Sequence, residues 1–272
     1  MARCSPLWPT LTPRGSRQPR PSGCLTLLRR SETCWTLVLW VSTVSKDETA
    51  AALILGATRV SRFGWNQRAK RYVLRSSGRF IAQAAIRHEL DRILDESTDR
   101  VRLLSRKLVA HQISLADWQR GMATEVKHLH ITFAAAAHGG WDHTTAADWG
   151  RVSGRIKAQY QYLDRFARQI YARTVPLGEG LVARASMYME AARGTYEAER
   201  GLMEAAGGAT EELSVLAISD HCSECMQMAA QGWQPIGTLT PIGMRQCLSR
   251  CRCTFIYRSA PSAGSAASLF IE

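Results

Sequence analysis

The chain has 272 residues, 46% hydrophobic and 21% charged, enough for one or two domains with a sizeable core and unlike the composition of a disordered polymer. Its formal charge of +12 is uneven: residues 1–88 hold fifteen Lys/Arg against three acids, whereas residues 89–272 hold twenty of each. Attraction to a polyanion is therefore confined to the N-terminal third.

Residues 1–49 read as a disordered leader, because the first thirty carry six arginines, no acid, several prolines and the thiols of Cys4 and Cys24. An apolar run over 34–44, starting at Cys34, is about a dozen residues long, where a membrane span needs roughly twenty. As a signal peptide it has too long a basic region before it and no small-x-small cleavage site. Neither a membrane nor secretion is expected. The Arg/Pro/Ser/Cys/Trp texture also fits translated upstream sequence with the true start further in, which would leave Cys4, Cys24 and Cys34 without a role.

Residues 50–78 are predicted to be a basic, aromatic arm. Arg59, Arg62, Arg68, Lys70, Arg71, Arg75 and Arg79 stand among Phe63, Trp65, Tyr72 and Phe80, with no acid between 59 and 79. Cations with aromatics can hold phosphates and stack on bases, or face an acidic partner. The plainer alternative is a solvated arm packed on the body by its aromatic rings.

The fold is predicted to be mainly α: an elongated body of about four helices over 79–208, then a small α+β module resembling a zinc ribbon. In a first helix over 79–110, Ile86, Leu90, Ile93, Leu94, Val101, Leu104 and Leu108 recur at three- and four-residue steps. Two further helices open alike, Ser114-Leu-Ala-Asp117-Trp118 and Thr145-Ala-Ala-Asp148-Trp149. In each a hydroxyl caps the end and an acid sits where the helix dipole favours it. Their apolar stripes are Met122, Val126, Leu129 and Phe133, then Val152, Ile156, Tyr160, Leu163, Phe166, Ala167 and Ile170, ending before Pro176. A fourth helix over 179–206 contains Gly194 and Gly201, which allow close contact or mark a bend. The histidines of the body (His88, His111, His128, His130, His138, His143) form no shared motif.

Residues 209–258 concentrate five of the chain's eight cysteines. Cys222-x2-Cys225 puts two thiols on one turn, and a second group about twenty residues on (Cys247, Cys251, Cys253) can close a tetrahedral Zn²⁺ site. Four ligands suffice, so one thiol is surplus, and His221 is a sixth candidate. A disulfide framework and inert buried thiols are the alternatives, and the odd count argues against complete pairing. Cys222-Ser-Glu224 is partly similar to one arm of zinc deaminases, but no Pro-Cys-x2-Cys arm follows, so Glu224 reads as a solvated turn residue. Strands are expected at 213–218 and 254–257, two turns at Pro235-Ile-Gly and Pro241-Ile-Gly, and a mobile tail at 259–272. So short a module has little core, and a structural metal would supply what burial cannot. No phosphate loop, dinucleotide fingerprint, H-E-x-x-H or activated nucleophile occurs, which disfavours an enzyme with a small-molecule substrate.

The combination of a helical body with Asp220-His221-Cys222-x2-Cys225, Gly232-Trp233-x-Pro235-Ile236-Gly237 and Cys247-Leu-Ser-Arg-Cys251-Arg252-Cys253 resembles the minor head, or head-morphogenesis, proteins of tailed bacteriophages, the group similar to the Mu F protein. The resemblance covers about residues 80–258. It implies a structural protein made with the portal and capsid proteins and acting at the capsid-portal vertex. Its place would be the virion, or the bacterial host cytoplasm during assembly, with packaged DNA nearby. Because the Cys222-x2-Cys225 arm is absent from some branches of that group, the resemblance is to a subfamily. The competing expectation is a DNA-binding zinc-ribbon protein of a mobile element, holding DNA through the basic arm.

Overall fold

The computed structural model describes residues 63–217 and 221–260. The leader, Cys4, Cys24, Cys34, Arg59, Arg62, the end of the expected strand at Ile218 and the tail from 261 onward lie outside the described residues.

Five helices make up the body: α1 Gln83–Val109, α2 Leu115–Ala137, α3 Ala146–Tyr171, α4 Glu179–Glu190 and α5 Ala192–Ala206. The expected fourth helix is two. The chain breaks at Ala191, and the Gly194 N–H tightens onto the Ala191 carbonyl at 3.1 Å. α2 packs against α1, α3, α4 and α5, and accordingly it is buried on more than one face, including Trp118, Met122, Val126, Leu129, Phe133, Ala134 and Ala137. Both expected caps form. The Ser114 hydroxyl accepts from the Asp117 N–H at 3.1 Å, and Thr145 with Asp148 closes a full capping box. The two tryptophans part ways: Trp118 is fully buried and donates to Ser105 Oγ at 3.0 Å, while Trp149 is half-buried against Trp141.

The arm is a hairpin seated on the body. β1 Phe63–Asn66 pairs antiparallel with β2 Arg71–Leu74, with Trp65 opposite Tyr72. α1 starts at Gln83 rather than near Arg79 because residues 79–81 are used by this sheet: Leu74 N–H bonds the Arg79 carbonyl and Ile81 N–H the Tyr72 carbonyl, both at 2.9 Å. The Tyr72 hydroxyl donates to the Ala136 carbonyl at 2.7 Å. Trp65 lies flat on Gly139, where a Cβ would come within 2.2 Å of the ring. No described helix is long and apolar enough to cross a membrane.

The C-terminal module carries a three-stranded antiparallel sheet in the order β4-β3-β5 (β3 Glu211–Val215, β4 Gln234–Pro235, β5 Thr254–Arg258) and a short helix, α6 Ser223–Ala230. β3 begins two residues before the expected start and has ended by Val215. Its inward residues are the polar Glu212 and Ser214, because the Glu212 carboxylate accepts from the Gly237 and Leu239 N–H groups at 3.0 and 3.1 Å. Both Pro-Ile-Gly turns form, with Thr238 N–H on Pro235 O and Met244 N–H on Pro241 O. Each glycine adopts φ 89°, which a side chain would strain. Body and module belong to one compact unit. Even the first tail residues are held, Ser259 Oγ donating to the Gly208 carbonyl at 2.9 Å and Ala260 N–H to Thr210 Oγ1 at 2.8 Å.

One face of α5 docks the module. Gly194 lies under the Ile242 carbonyl and Gly201 under the Tyr257 ring, where a methyl group would stand 3.0 Å from the nearest oxygen in each case. Between them Glu197 and Arg200 point at β5: Arg200 donates to the Phe255 carbonyl at 2.7 Å and pairs with Glu197 at 3.1 Å, while Glu197 also takes Arg87 at 3.1 Å and the Thr254 hydroxyl at 3.0 Å. The two glycines are thus points of close approach, and the bend lies just before them.

Candidate metal centre

Three short segments bring the cysteines together. Cys222 is the N-cap of α6 and its sulfur accepts the Cys225 N–H at 3.4 Å, so the C-x2-C spacing becomes a helix start that turns both thiols to one side. Cys247 precedes a 3₁₀ turn, Leu248–Arg250, in which Leu248 takes a left-handed φ of 48°. That conformation costs a non-glycine residue about 1 kcal/mol, and it lets Cys251 return towards Cys247 and Cys225. Cys251-Arg252-Cys253 then runs into β5. Alternation puts both thiols in the interior and Arg252 outside, which is why a C-x-C spacing that fits no ordinary ribbon arm still delivers both sulfurs.

All five are free thiols. They form two trios, Cys222/Cys225/Cys247 and Cys225/Cys251/Cys253, with Cys225 common to both and each trio's sulfurs within 4.8 Å of one another. Cys225 Sγ is 3.6 Å from that of Cys247 and 3.7 Å from that of Cys251, and Cys253 Sγ is 3.8 Å from His221 Nδ1. A disulfide needs about 2.05 Å. A tetrahedral thiolate site with metal–sulfur bonds of about 2.3 Å has sulfur–sulfur edges of about 3.8 Å, so the donors fit a metal ion, and the cluster can bind one.

Without a metal cation beside them, most of these thiols resist ionisation. Burial pushes up the thiols of Cys225, Cys253 and Cys247, the last to about 12. Cys222 goes the other way: burial raises it, but the Cys225 N–H and the Cys225 and Cys247 thiols outweigh this and bring it to about 7. Arg245, fully buried, supplies the nearest positive charge, reaching Cys225 Sγ at 3.8 Å and anchored on Ser214 Oγ and the Thr240 carbonyl, each at 2.9 Å. Glu224 is half-buried rather than solvated. It accepts the Gln246 N–H at 2.7 Å and so ties the two cysteine arms together.

A second buried donor group, His138, Asp148 and Glu199, went unseen in the sequence because its members come from three different helices or their caps. His138 Nε2 meets Glu199 Oε2 at 3.1 Å and its Nδ1 lies 3.7 Å from Asp148. Arg151 bridges the two acids, bonding Asp148 and reaching Glu199 at 3.1 Å, with Arg155 at 3.9 Å from Glu199. Burial raises both carboxyls, but hydrogen bonds from Thr145 to Asp148 and from His138 to Glu199, with Arg151 serving both, lower them further. The arginine stands where a cation's charge would be needed, so this group ties α2, α3 and α5 together.

The predicted binding residues of the hairpin separate by type. Arg68, Lys70, Arg71, Arg75 and Arg79 are all exposed, whereas Phe63 and Tyr72 are buried and Trp65 is packed on Gly139. Phe80 is exposed beneath the Arg71 guanidinium, 4.9 Å from its ring centre. Phe63 and Tyr72 are too buried to stack on bases and Trp65 has its ring against Gly139, so the cations and Phe80 are what the hairpin presents to solvent.

No protein-family model matches the chain, and no significant match exists among curated proteins or solved structures.

Proposed function

We propose that the protein is a structural, head-assembly (minor head) protein of a tailed bacteriophage, acting at the capsid-portal vertex alongside portal and capsid proteins, in the virion or in the host cytoplasm during assembly. It is not an enzyme in this reading, and it carries a Zn²⁺-stabilised, ribbon-like terminal module. One observation carries the reading: the Cys-Leu-Ser-Arg-Cys-Arg-Cys segment that resembles that family is used as a clamp, with Cys251 and Cys253 buried, Cys247 half-buried, and the strand that follows keyed onto α5 through Glu197 and Arg200. A thiol set closed in this way offers architecture rather than a place for substrate, and soft thiolate donors in tetrahedral spacing suit zinc. The test is co-expression with the portal and capsid proteins of the same genome, followed by purification and mass spectrometry of assembled heads. The chain should travel with the portal; recovery only as free protein would overturn the reading.

The exposed cations of the hairpin favour a second reading, a DNA-binding zinc-ribbon protein of a mobile element. Salt-dependent DNA binding by the full chain, lost on neutralising Arg68, Lys70 and Arg71 together, would support it over the first.

A further inference from the structure

We propose that the cysteine centre holds two divalent metal ions, with Cys225 as the bridging thiolate; the proposal rests on the zinc reading above. A single tetrahedral ion uses four donors. Here six converge: five thiols and the His221 imidazole. The arrangement divides them, because the sulfurs group as two trios around a shared Cys225. A mononuclear site built on Cys222, Cys225, Cys247 and Cys251 would leave Cys253 and His221 idle, yet these two stand 3.8 Å apart, the edge length of a coordination tetrahedron. Cys253 is moreover buried beside the first set rather than turned away from it.

Two ions use every donor. One would take Cys222, Cys247 and the bridging Cys225, with water completing its tetrahedron at the half-buried side of the cluster; the other would take Cys251, Cys253, His221 and the same Cys225. Cys225 is suited to bridge, being buried with its sulfur 3.6 Å from that of Cys247 in one trio and 3.7 Å from that of Cys251 in the other. Charge closes too. Five thiols release five protons as two dications enter, leaving a cluster of net charge −1. The buried Arg245 guanidinium, 3.8 Å from the proposed bridging sulfur of Cys225, neutralises it. With one ion and four thiolates the cluster would be −2, and Arg245 would leave it −1 in a buried site.

The experiment is zinc stoichiometry of the purified full chain by native mass spectrometry, joined to ¹¹³Cd NMR after exchange of zinc for cadmium. Two ions per chain are expected, giving two cadmium resonances, one from a site whose protein donors are all sulfur and one shifted by a nitrogen donor. C253S and H221A should each reduce the stoichiometry from two to one while the helical far-UV signal stays unchanged. One ion in the natural chain, unaltered by C253S, would overturn the dinuclear centre and leave the zinc module standing; no ion at all would overturn both.

Discussion

His130 is the residue on which folding should depend most visibly through pH. It is buried on α2 with Nδ1 2.7 Å from the Thr195 hydroxyl, and burial first, then the Arg155 charge, hold its imidazole down at about 4 against an ordinary 6.5. Between those values the unfolded chain binds a proton that the folded chain refuses. Stability is therefore complete above the unfolded value and falls as the pH drops from 6.5 towards 4. Roughly two to three pH units at about 1.36 kcal/mol each give a loss of about 3 kcal/mol. Urea unfolding at pH 7 and pH 4.5 should show it, and H130Q should remove most of the slope; an equal slope in the variant would assign the effect elsewhere. Below that range Asp148 and Glu199, both lowered, should add a further loss as they protonate. His130 and Glu199 do not stand out in the sequence, because each acquires its role from a partner on another helix, whereas Asp148 is marked by its place in the capping box. The cysteines do stand out, since a short spacing such as C-x2-C is local and its geometry follows from one helix turn.

At the level of elements, the sequence is most legible where one periodicity acts alone. The stripes of α1, α2 and α3 are buried as their spacing predicts, apart from the half-buried Leu104 and Tyr160, and Ser114 and Thr145 open their helices. It is least legible where a distant contact decides. Residues 79–81 leave α1 for the hairpin sheet, and β3 turns Glu212 and Ser214 inward to meet Leu239 and Arg245, against any apolar alternation. The glycines of α5 show both sides of this. Their positions imply close approach, but the partner is the module, which no helical pattern indicates. G194V should therefore act selectively: the added bulk meets the Ile242 backbone, which cannot swing aside as a side chain would. Hydrogen exchange should quicken at the amides of β3 and β5, while α2, whose core lies on Trp118, Met122 and Phe133, keeps its protection. Uniform loss of protection would instead mean that body and module unfold as one.

For the molecule as a whole, the contrast between its two cores decides what metal removal should do. The body is held by large apolar side chains from five helices. The module's buried cluster comprises Cys225, Leu239, Ile242, Cys251, Cys253 and Phe255, half of it thiols, with Cys222, Cys247, Met228 and Tyr257 around it. Thiols are small, and without an ion they have only weak contacts with one another, His221 and Arg245, so three aliphatic and aromatic side chains cannot replace the cross-link that joins α6, the Cys247 turn and β5. Stripping the metal with a strong chelator should release residues 211–215, 223–230 and 254–258 to fast exchange and make the thiols reactive towards a maleimide, while most of the helical signal remains. Docking should fail with it: Arg200 and Glu197 then lose the Phe255 and Thr254 groups that they hold, and their charges, buried in the docked state, become hydrated. Re-addition of zinc should restore protection in all three segments together, because each contributes to the same cluster or to the strand that follows it. If the module kept its protection after complete metal removal, the thiols would be packing groups only, and the clamp on α5 would have to draw its strength from the polar ladder alone.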